Sequence, residues 1–228
     1  MSSIKYGITE EGIFLSRPNR FIARVIVNGT EETVHVKNTG RCKELLPRGA
    51  RVILEKAPDS SKRKTKYDLI AVYKNGMLIN TDSQSPNKAA MEFIPQLFED
   101  VTYIRPETVF GSSRFDFYIE AGGRKIFMEV KGCTLEDNGV CRFPDAPTER
   151  GLKHINELVT AVKSGYEAYI FFVIQMENAK YFTPNRDTHP QFADALKAAS
   201  EKGVNVIAYT CKVTPDSMVI DKPCKIIL

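Results

Sequence analysis

Several features are missing from this 228-residue chain, and each absence narrows its chemistry. No stretch approaches the ~18 consecutive apolar residues of a membrane-spanning helix, so no membrane role is expected. The opening Met1-Ser2-Ser3-Ile4-Lys5-Tyr6-Gly7 has neither the charged nor the apolar region of a signal peptide. The five cysteines, Cys42, Cys133, Cys141, Cys211 and Cys224, form no CxxC pair. That argues against structural zinc or a disulfide framework and for reduced thiols in a cytoplasmic protein. No helix-turn-helix or zinc-finger pattern is present, so sequence-specific major-groove reading is not expected. The net charge is only +4, but residues 1–84 hold 15 Lys and Arg against 9 Asp and Glu. A basic first third beside a more acidic remainder suits a polyanion held by one part and acted on by the other. A lysine-rich surface kept for solubility accounts for the same count.

What is present centres on one hairpin. Arg114-Phe115-Asp116-Phe117-Tyr118-Ile119 and Lys125-Ile126-Phe127-Met128-Glu129-Val130-Lys131 are joined through Gly122-Gly123, a strong two-residue turn signal. Turning there sets Asp116 opposite Glu129. Alternation puts Phe115, Phe117 and Ile119 on one face, with Asp116, Tyr118 and Glu120 on the other. Lys131 shares a face with Glu129. Like charges directly opposite destabilise a sheet unless something lies between them, and a hard divalent cation, Mg²⁺ or Mn²⁺, would remove the repulsion. The solvated face of an amphipathic hairpin, with Lys131 neutralising Glu129, is the other reading.

Before the hairpin the chain reads as short strands with tight turns. They lie near residues 12–15, 21–27, 32–37, 50–55, 67–73 and 77–80, with Asn28-Gly29 and Asn75-Gly76 as turns. Little helix and about five strands suit a small closed, OB-like barrel, a fold that binds nucleic acid through one face and its basic loops. Asn38-Thr39-Gly40-Arg41 can offer amides and a guanidinium to a phosphate, or can be a plain surface turn. Lys62, Arg63 and Lys64 form a dense basic loop whose phosphate contacts would add salt sensitivity; charge runs are also often only solvated. Arg17 and Arg20 extend the same candidate surface. His35, on an alternating strand, reads as structural rather than as a ligand.

A polar stretch, Thr81 to Asn87, marks a boundary between residues 1–83 and 84–228. Ser85-Pro86 opens a helix that Pro95 should kink or end. A strand from Val101 to Arg105 precedes the hairpin, and a loop from Gly132 to Pro147 follows it. Thr148 caps a helix from Glu149 to Ser164, with Leu152, Ile155, Leu158, Val159 and Val162 as its apolar stripe. Ala168 to Ile174 is a strand buried on both faces. Pro190 opens another helix, Val204 to Tyr209 is a strand, and Met218–Ile220 with Lys225–Leu228 reads as a terminal hairpin. This order suits a three-layer α/β/α unit on a mixed sheet.

Asp116 followed by Glu129-Val130-Lys131 resembles the PD-(D/E)XK nuclease signature. With Arg114-Phe115-Asp116-Phe117, Asn38-Thr39-Gly40, Lys62-Arg63-Lys64 and the segment Phe143 to His154, the chain resembles the sugar fermentation stimulation protein (SfsA) family along nearly its whole length. The resemblance implies an α+β protein of two domains, an OB-like barrel and a restriction-endonuclease-like domain with a mixed sheet. It implies Asp116, Glu129 and Lys131 as catalytic residues, with Mg²⁺ or Mn²⁺ at Asp116, Glu129 and the Val130 carbonyl. Glu92, on the first helix, would approach the metal; it can equally be an exposed helical glutamate. Arg150 and His154, four residues apart, would face the cleft, Arg150 toward a phosphate and His154 toward the substrate or a water; ordinary surface pairing is the alternative. The partner implied is DNA, with RNA left open, contacted mainly through its backbone, and a homodimer is compatible with this. Against hydrolysis stands a non-catalytic, nonspecific DNA-binding regulatory factor in sugar (maltose) metabolism.

Overall fold

A computed structural model describes residues 4–38, 40, 42–58, 60–61 and 63–228. The short strand β1 (Ile4–Lys5) is followed by β2 (Thr9–Asn19), β3 (Ile22–Val27), β4 (Thr30–Val36), β5 (Arg51–Lys56), β6 (Tyr67–Lys74) and β7 (Met77–Asn80). The turns Asn28-Gly29 and Asn75-Gly76 have positive φ at both residues, the geometry that matches the twist of the flanking strands. The strand order is β4-β3-β2-β5-β6-β7, and β4 also pairs with β6 through His35↔Asp68 and Val36↔Leu69. That pairing closes a five-stranded barrel, with β7 added outside on β6. Ala23, Val25 and Val27 alternate inward along β3, and Val34 and Val36 along β4, so the interior is filled by branched side chains. The OB-like barrel expected from strand spacing is present.

The rest of the chain forms α1 (Ser85–Leu97), β8 (Val101–Phe110), β9 (Ser113–Ala121), β10 (Arg124–Cys133), β11 (Leu135–Asp137), β12 (Val140–Phe143), α2 (Glu149–Lys163), β13 (Glu167–Ile174), β14 (Tyr181–Pro184), α3 (Pro190–Glu201), β15 (Asn205–Thr214) and β16 (Ser217–Pro223). Its seven-stranded sheet runs β1-β16-β15-β13-β10-β9-β8. β10, β13 and β15 are parallel neighbours and the outer pairings are antiparallel, so the sheet is mixed. Ala89, Ala90 and Ile94 of α1 pack with Met128, Val130, Phe171 and Val173 on one face. Ile155 and Leu158 of α2 and Phe192 and Leu196 of α3 pack with Phe127, Ile170 and Phe172 on the other. The result is the α/β/α sandwich that the element order implied. No helix among the described residues is long and apolar enough to cross a membrane.

Five details differ from the sequence reading. Ile4–Lys5 is outside the barrel, pairing with β16 in the large sheet. Pro95 does not end α1, which runs two residues past it; the proline lacks the N–H that would bond the Met91 carbonyl, so the helix loses that bond and stops within a turn. The loop from Gly132 to Pro147 contains a hairpin, β11–β12, turned at Asn138-Gly139. Its sheet is completed by β14, which the sequence pattern does not announce. Met218–Ile220 pairs back on β15, whereas Ile226 bridges to Phe182.

The barrel and the sandwich are joined by buried polar bonds as well as by apolar packing. Gln175, at the end of β13, is 2% exposed. Its Nε2 donates to Asn80 O (3.1 Å), Asn80 Oδ1 (3.0 Å) and Asp82 O (3.1 Å), with Ser85 Oγ at 3.3 Å. The acceptors surrounding Nε2 fix the amide orientation and aim Oε1 at Gly132. A Cβ on Gly132 would lie 2.5 Å from that oxygen and 2.7 Å from Pro86 Cγ. Gly132→Ala should therefore destabilise the protein by about 1–3 kcal/mol, the usual cost of overpacking around groups that cannot move. Urea unfolding measures it; an unchanged midpoint would mean the joint is loose.

Candidate active site

β9 and β10 pair from Arg124↔Ala121 to Met128↔Phe117, and there the ladder stops. β10 continues on its other side, pairing with β13 as far as Cys133↔Ile174. The next position in register places Asp116 across from Glu129, as the turn arithmetic predicts. At that point the Val130 N–H donates to Asp116 Oδ2 (2.7 Å) instead of to a strand carbonyl. The alternation of β9 breaks at the same place. Phe117 packs with Ile119 on the α1 face, while Phe115 packs with Phe127 on the α2 face. Phe115 and Phe117 therefore do not share a face, contrary to the simple strand pattern, because β9 splays from β10 between them.

The two carboxylates are held from opposite sides of the sheet. Asp116 Oδ1 accepts from Asn87 Nδ2 in the first turn of α1 (2.7 Å). Glu129 is 3% exposed, and its Oε1 receives Lys131 Nζ (2.6 Å) and His154 Nδ1 of α2. Thr148 fixes the start of α2 by accepting from Gly151 N (3.0 Å), which sets the rotation that brings His154 inward. Arg150 Nε lies 3.5 Å from His154 Nε2, consistent with a ring that carries its proton on Nδ1 and donates it to Glu129. Glu129 Oε2 is buried and has no partner.

This asymmetry separates the two acids. Burial raises Glu129, but hydrogen bonds from His154 and Lys131 outweigh it and hold the carboxyl below its ordinary range. Burial, then the Glu129 charge, push Asp116 up to about 6, against the lowering effects of the Val130 N–H, Lys131 and Asn87. An ionised carboxylate with one buried oxygen lacking a donor, beside a second carboxylate, is a donor set that suits a hard divalent cation. No cluster of three or more His, Cys, Asp or Glu suited to a metal occurs among the described residues. A cation held here would take its remaining ligands from backbone, water or substrate, as Mg²⁺ commonly does.

The other sequence-derived residues are placed unequally. Glu92 is exposed, but it lines a groove of about 380 Å³ together with Asn87, Glu107 and Asp116. Arg150 is exposed at the start of α2, whereas His154 is buried against Glu129. Arg17 donates to Gly40 O (2.9 Å), Arg20 O (2.8 Å) and Asn38 O, and so shapes the loop backbone. Gly40 lies against Asp145, ahead of α2, and a Cβ on it would be 2.6 Å from Asp145 Oδ2. Arg63 is bound through both terminal nitrogens to Asp68 (2.8 Å each), where His35 and Lys37 also converge, while Lys64 is exposed. Thr39, Arg41 and Lys62 lie outside the described residues. Asn87 is not found by sequence reasoning; the only hint is its position just after the Ser85-Pro86 helix start.

Comparisons with known proteins agree on a family. The description "SfsA N-terminal OB domain" matches residues 15–81, and "Sugar fermentation stimulation protein RE domain" matches residues 84–217. The sugar fermentation stimulation protein homolog of Desulfitobacterium hafniense (strain Y51) is 57% identical over 216 residues, covering 94% of each chain. That of Clostridium beijerinckii is 53% identical over 227 residues, covering 99% of this chain and 100% of the other. The solved structure of Pyrococcus furiosus SfsA in complex with Ca²⁺ is 27% identical, with a TM-score of 0.88 over 100% of both chains.

The raised carboxyl makes a stability prediction for the metal-free protein. The folded state keeps the Asp116 proton up to about pH 6. The unfolded chain releases it near pH 4. Stability is therefore lost as pH rises through that window, and the loss is complete above it. In EDTA, Asp116→Asn should match the wild type below pH 4 and gain about 1–2 kcal/mol at pH 7–8, a figure reduced for partial solvent screening. Denaturation across pH 4–8 checks it, and a gain independent of pH would remove the carboxyl from this role.

Proposed function

The chain belongs to the sugar fermentation stimulation protein family, and on that premise we propose that it binds DNA and hydrolyses phosphodiester bonds with a divalent cation at Asp116 and Glu129. The observation that carries the proposal is the state of Glu129: Oε1 is saturated by Lys131 and His154, and Oε2 is buried without a donor. A structural carboxylate would have both oxygens satisfied. The Pyrococcus furiosus relative forms a complex with Ca²⁺, which supports a site for a hard divalent ion.

Asp116, Glu129 and the Val130 carbonyl would hold Mg²⁺ or Mn²⁺, with Glu92 able to approach from the adjoining groove. Bound there, the cation supplies charge neutralisation on the phosphate and lowers the pKa of a coordinated water. Lys131, on the same face as Glu129, orients the attacking water and stabilises charge developing on the phosphate. His154 is a positioning residue that fixes the rotamer of Glu129 from α2. Asn87 does the same for Asp116 from α1. Arg150, exposed one turn before His154, offers a guanidinium to a neighbouring phosphate. The basic loops of the barrel grip the nucleic-acid backbone, so binding is nonspecific and falls with salt.

The test is a cleavage assay on single-stranded, duplex and branched DNA, and on RNA, with Mg²⁺, Mn²⁺ or EDTA. Cleavage should require the metal and disappear in Glu129→Ala. Lys131→Ala should lose about 10²–10⁴-fold in rate while still binding DNA. Wild-type rates in either variant would overturn the site. Binding without cleavage of any substrate would leave a DNA-binding regulatory protein instead.

A further inference from the structure

We propose that Phe21 is a stacking platform for an unpaired base, so that the barrel takes single-stranded nucleic acid; this rests on the nucleic-acid reading above. Phe21 is 45% exposed at the turn between β2 and β3. Isolated exposed apolar residues are ordinary, and Ile8, Ile13 and Ile26 of the same region need no explanation. Phe21 differs from them in how it is presented.

Both backbone groups of Phe21 are tied down. Its N–H donates to Asn19 Oδ1 (2.9 Å), and its carbonyl accepts from Val36 N (2.7 Å). The preceding carbonyl, of Arg20, accepts from Arg17 (2.8 Å). The Arg20 guanidinium lies over the ring, 4.8 Å from its centroid. The backbone that carries the ring is thus fixed and the cation covers one face of the ring, which leaves the other face for a base at a reduced ordering cost. A base paired inside a duplex cannot offer its face to a ring, whereas a single strand can, and such stacking tolerates any sequence.

The turn is tied to the loop that borders the joint between barrel and sandwich. The guanidinium of Arg17 that holds Arg20 O also holds Gly40 O and Asn38 O, linking the turn to the next loop. Asn38 and Gly132 line one cavity of about 130 Å³ between barrel and sandwich. Gly132 directly follows Lys131.

The chain has no tryptophan, so Phe21→Trp introduces a single indole as a reporter at the platform. Its emission should be quenched by a short oligothymidylate, and not by an abasic strand of equal length and charge. By fluorescence anisotropy, Phe21→Ala should bind the oligothymidylate about 5- to 150-fold more weakly than wild type, equivalent to about 1–3 kcal/mol per stacked base. Affinity for the abasic strand and for duplex should not change. Phe21→Leu should behave as Phe21→Ala, because it keeps apolarity without a π-face. Matching urea midpoints would establish that all three variants fold, and an oligouridylate arm tells RNA from DNA. If wild type binds the abasic strand as tightly as oligothymidylate, or Phe21→Leu retains full affinity, the platform is wrong while nucleic-acid binding stands. If wild type binds none of these strands, the nucleic-acid reading itself fails.

Discussion

The structure turns on one hydrogen bond, from the Val130 N–H to the Asp116 carboxylate. By register that N–H would otherwise pair with the backbone of β9. Giving it to a side chain ends the ladder between β9 and β10 without leaving a buried donor unpaired, which a sheet interior does not tolerate. β9 can then leave the plane, Phe115 turns to the α2 face, and Asp116 turns to α1. β10 stays fixed because β13 continues to pair along it. One carboxylate thus sits on a diverging strand and the other on a strand in the middle of a sheet. This gives two acids close enough to influence each other and a gap between them.

The same arrangement explains how the gap tolerates its charge. Four donors hold the pair, Lys131 and His154 on Glu129 and the Val130 N–H and Asn87 on Asp116, so the ammonium bonds Glu129 and Asp116 has neutral donors alone. Glu129 is kept ionised and Asp116 is the acid that takes the proton. Around them the support is apolar and aromatic, with Phe115 packed against both Phe127 and the His154 ring. Side chains held this way have few alternative rotamers, which is what a site needs if its geometry is to persist before substrate arrives.

Much of this was legible in local patterns. Gly122-Gly123 fixed the hairpin register, and hence the pairing of Asp116 with Glu129, because a two-residue turn leaves no freedom in the count. Thr148 and the spacing of Ile155 and Leu158 located α2. The hairpin at Asn138-Gly139 carries the same kind of turn dipeptide, but its arms, Leu135-Glu136-Asp137 and Val140-Cys141-Arg142-Phe143, lack the run of branched residues that marks a strand. Long-range partners were not legible either. Arg17 reads as a surface cation, yet its acceptors are carbonyls at Asn38 and Gly40, more than twenty positions on. His35 reads as a structural side chain of its own strand, yet it meets Asp68, more than thirty positions on, where β4 pairs with β6. Such bonds depend on which strands meet, and neither composition nor periodicity encodes that directly.

The place of β1 has a mechanical consequence. Because Ile4–Lys5 lies in the large sheet beside β16, the barrel is inserted between the first strand and first helix of the sandwich. Two chain crossings connect them, at Tyr6-Gly7 and at Thr81 to Gln84, and they are riveted to each other where Asn80 Nδ2 donates to Tyr6 Oη (2.7 Å). A domain hung on one linker can swivel about it, but one hung on two joined linkers cannot turn without breaking a strand pairing. Rotation of the barrel against the sandwich therefore has to open the β1–β16 pairing or the Asn80–Tyr6 bond first.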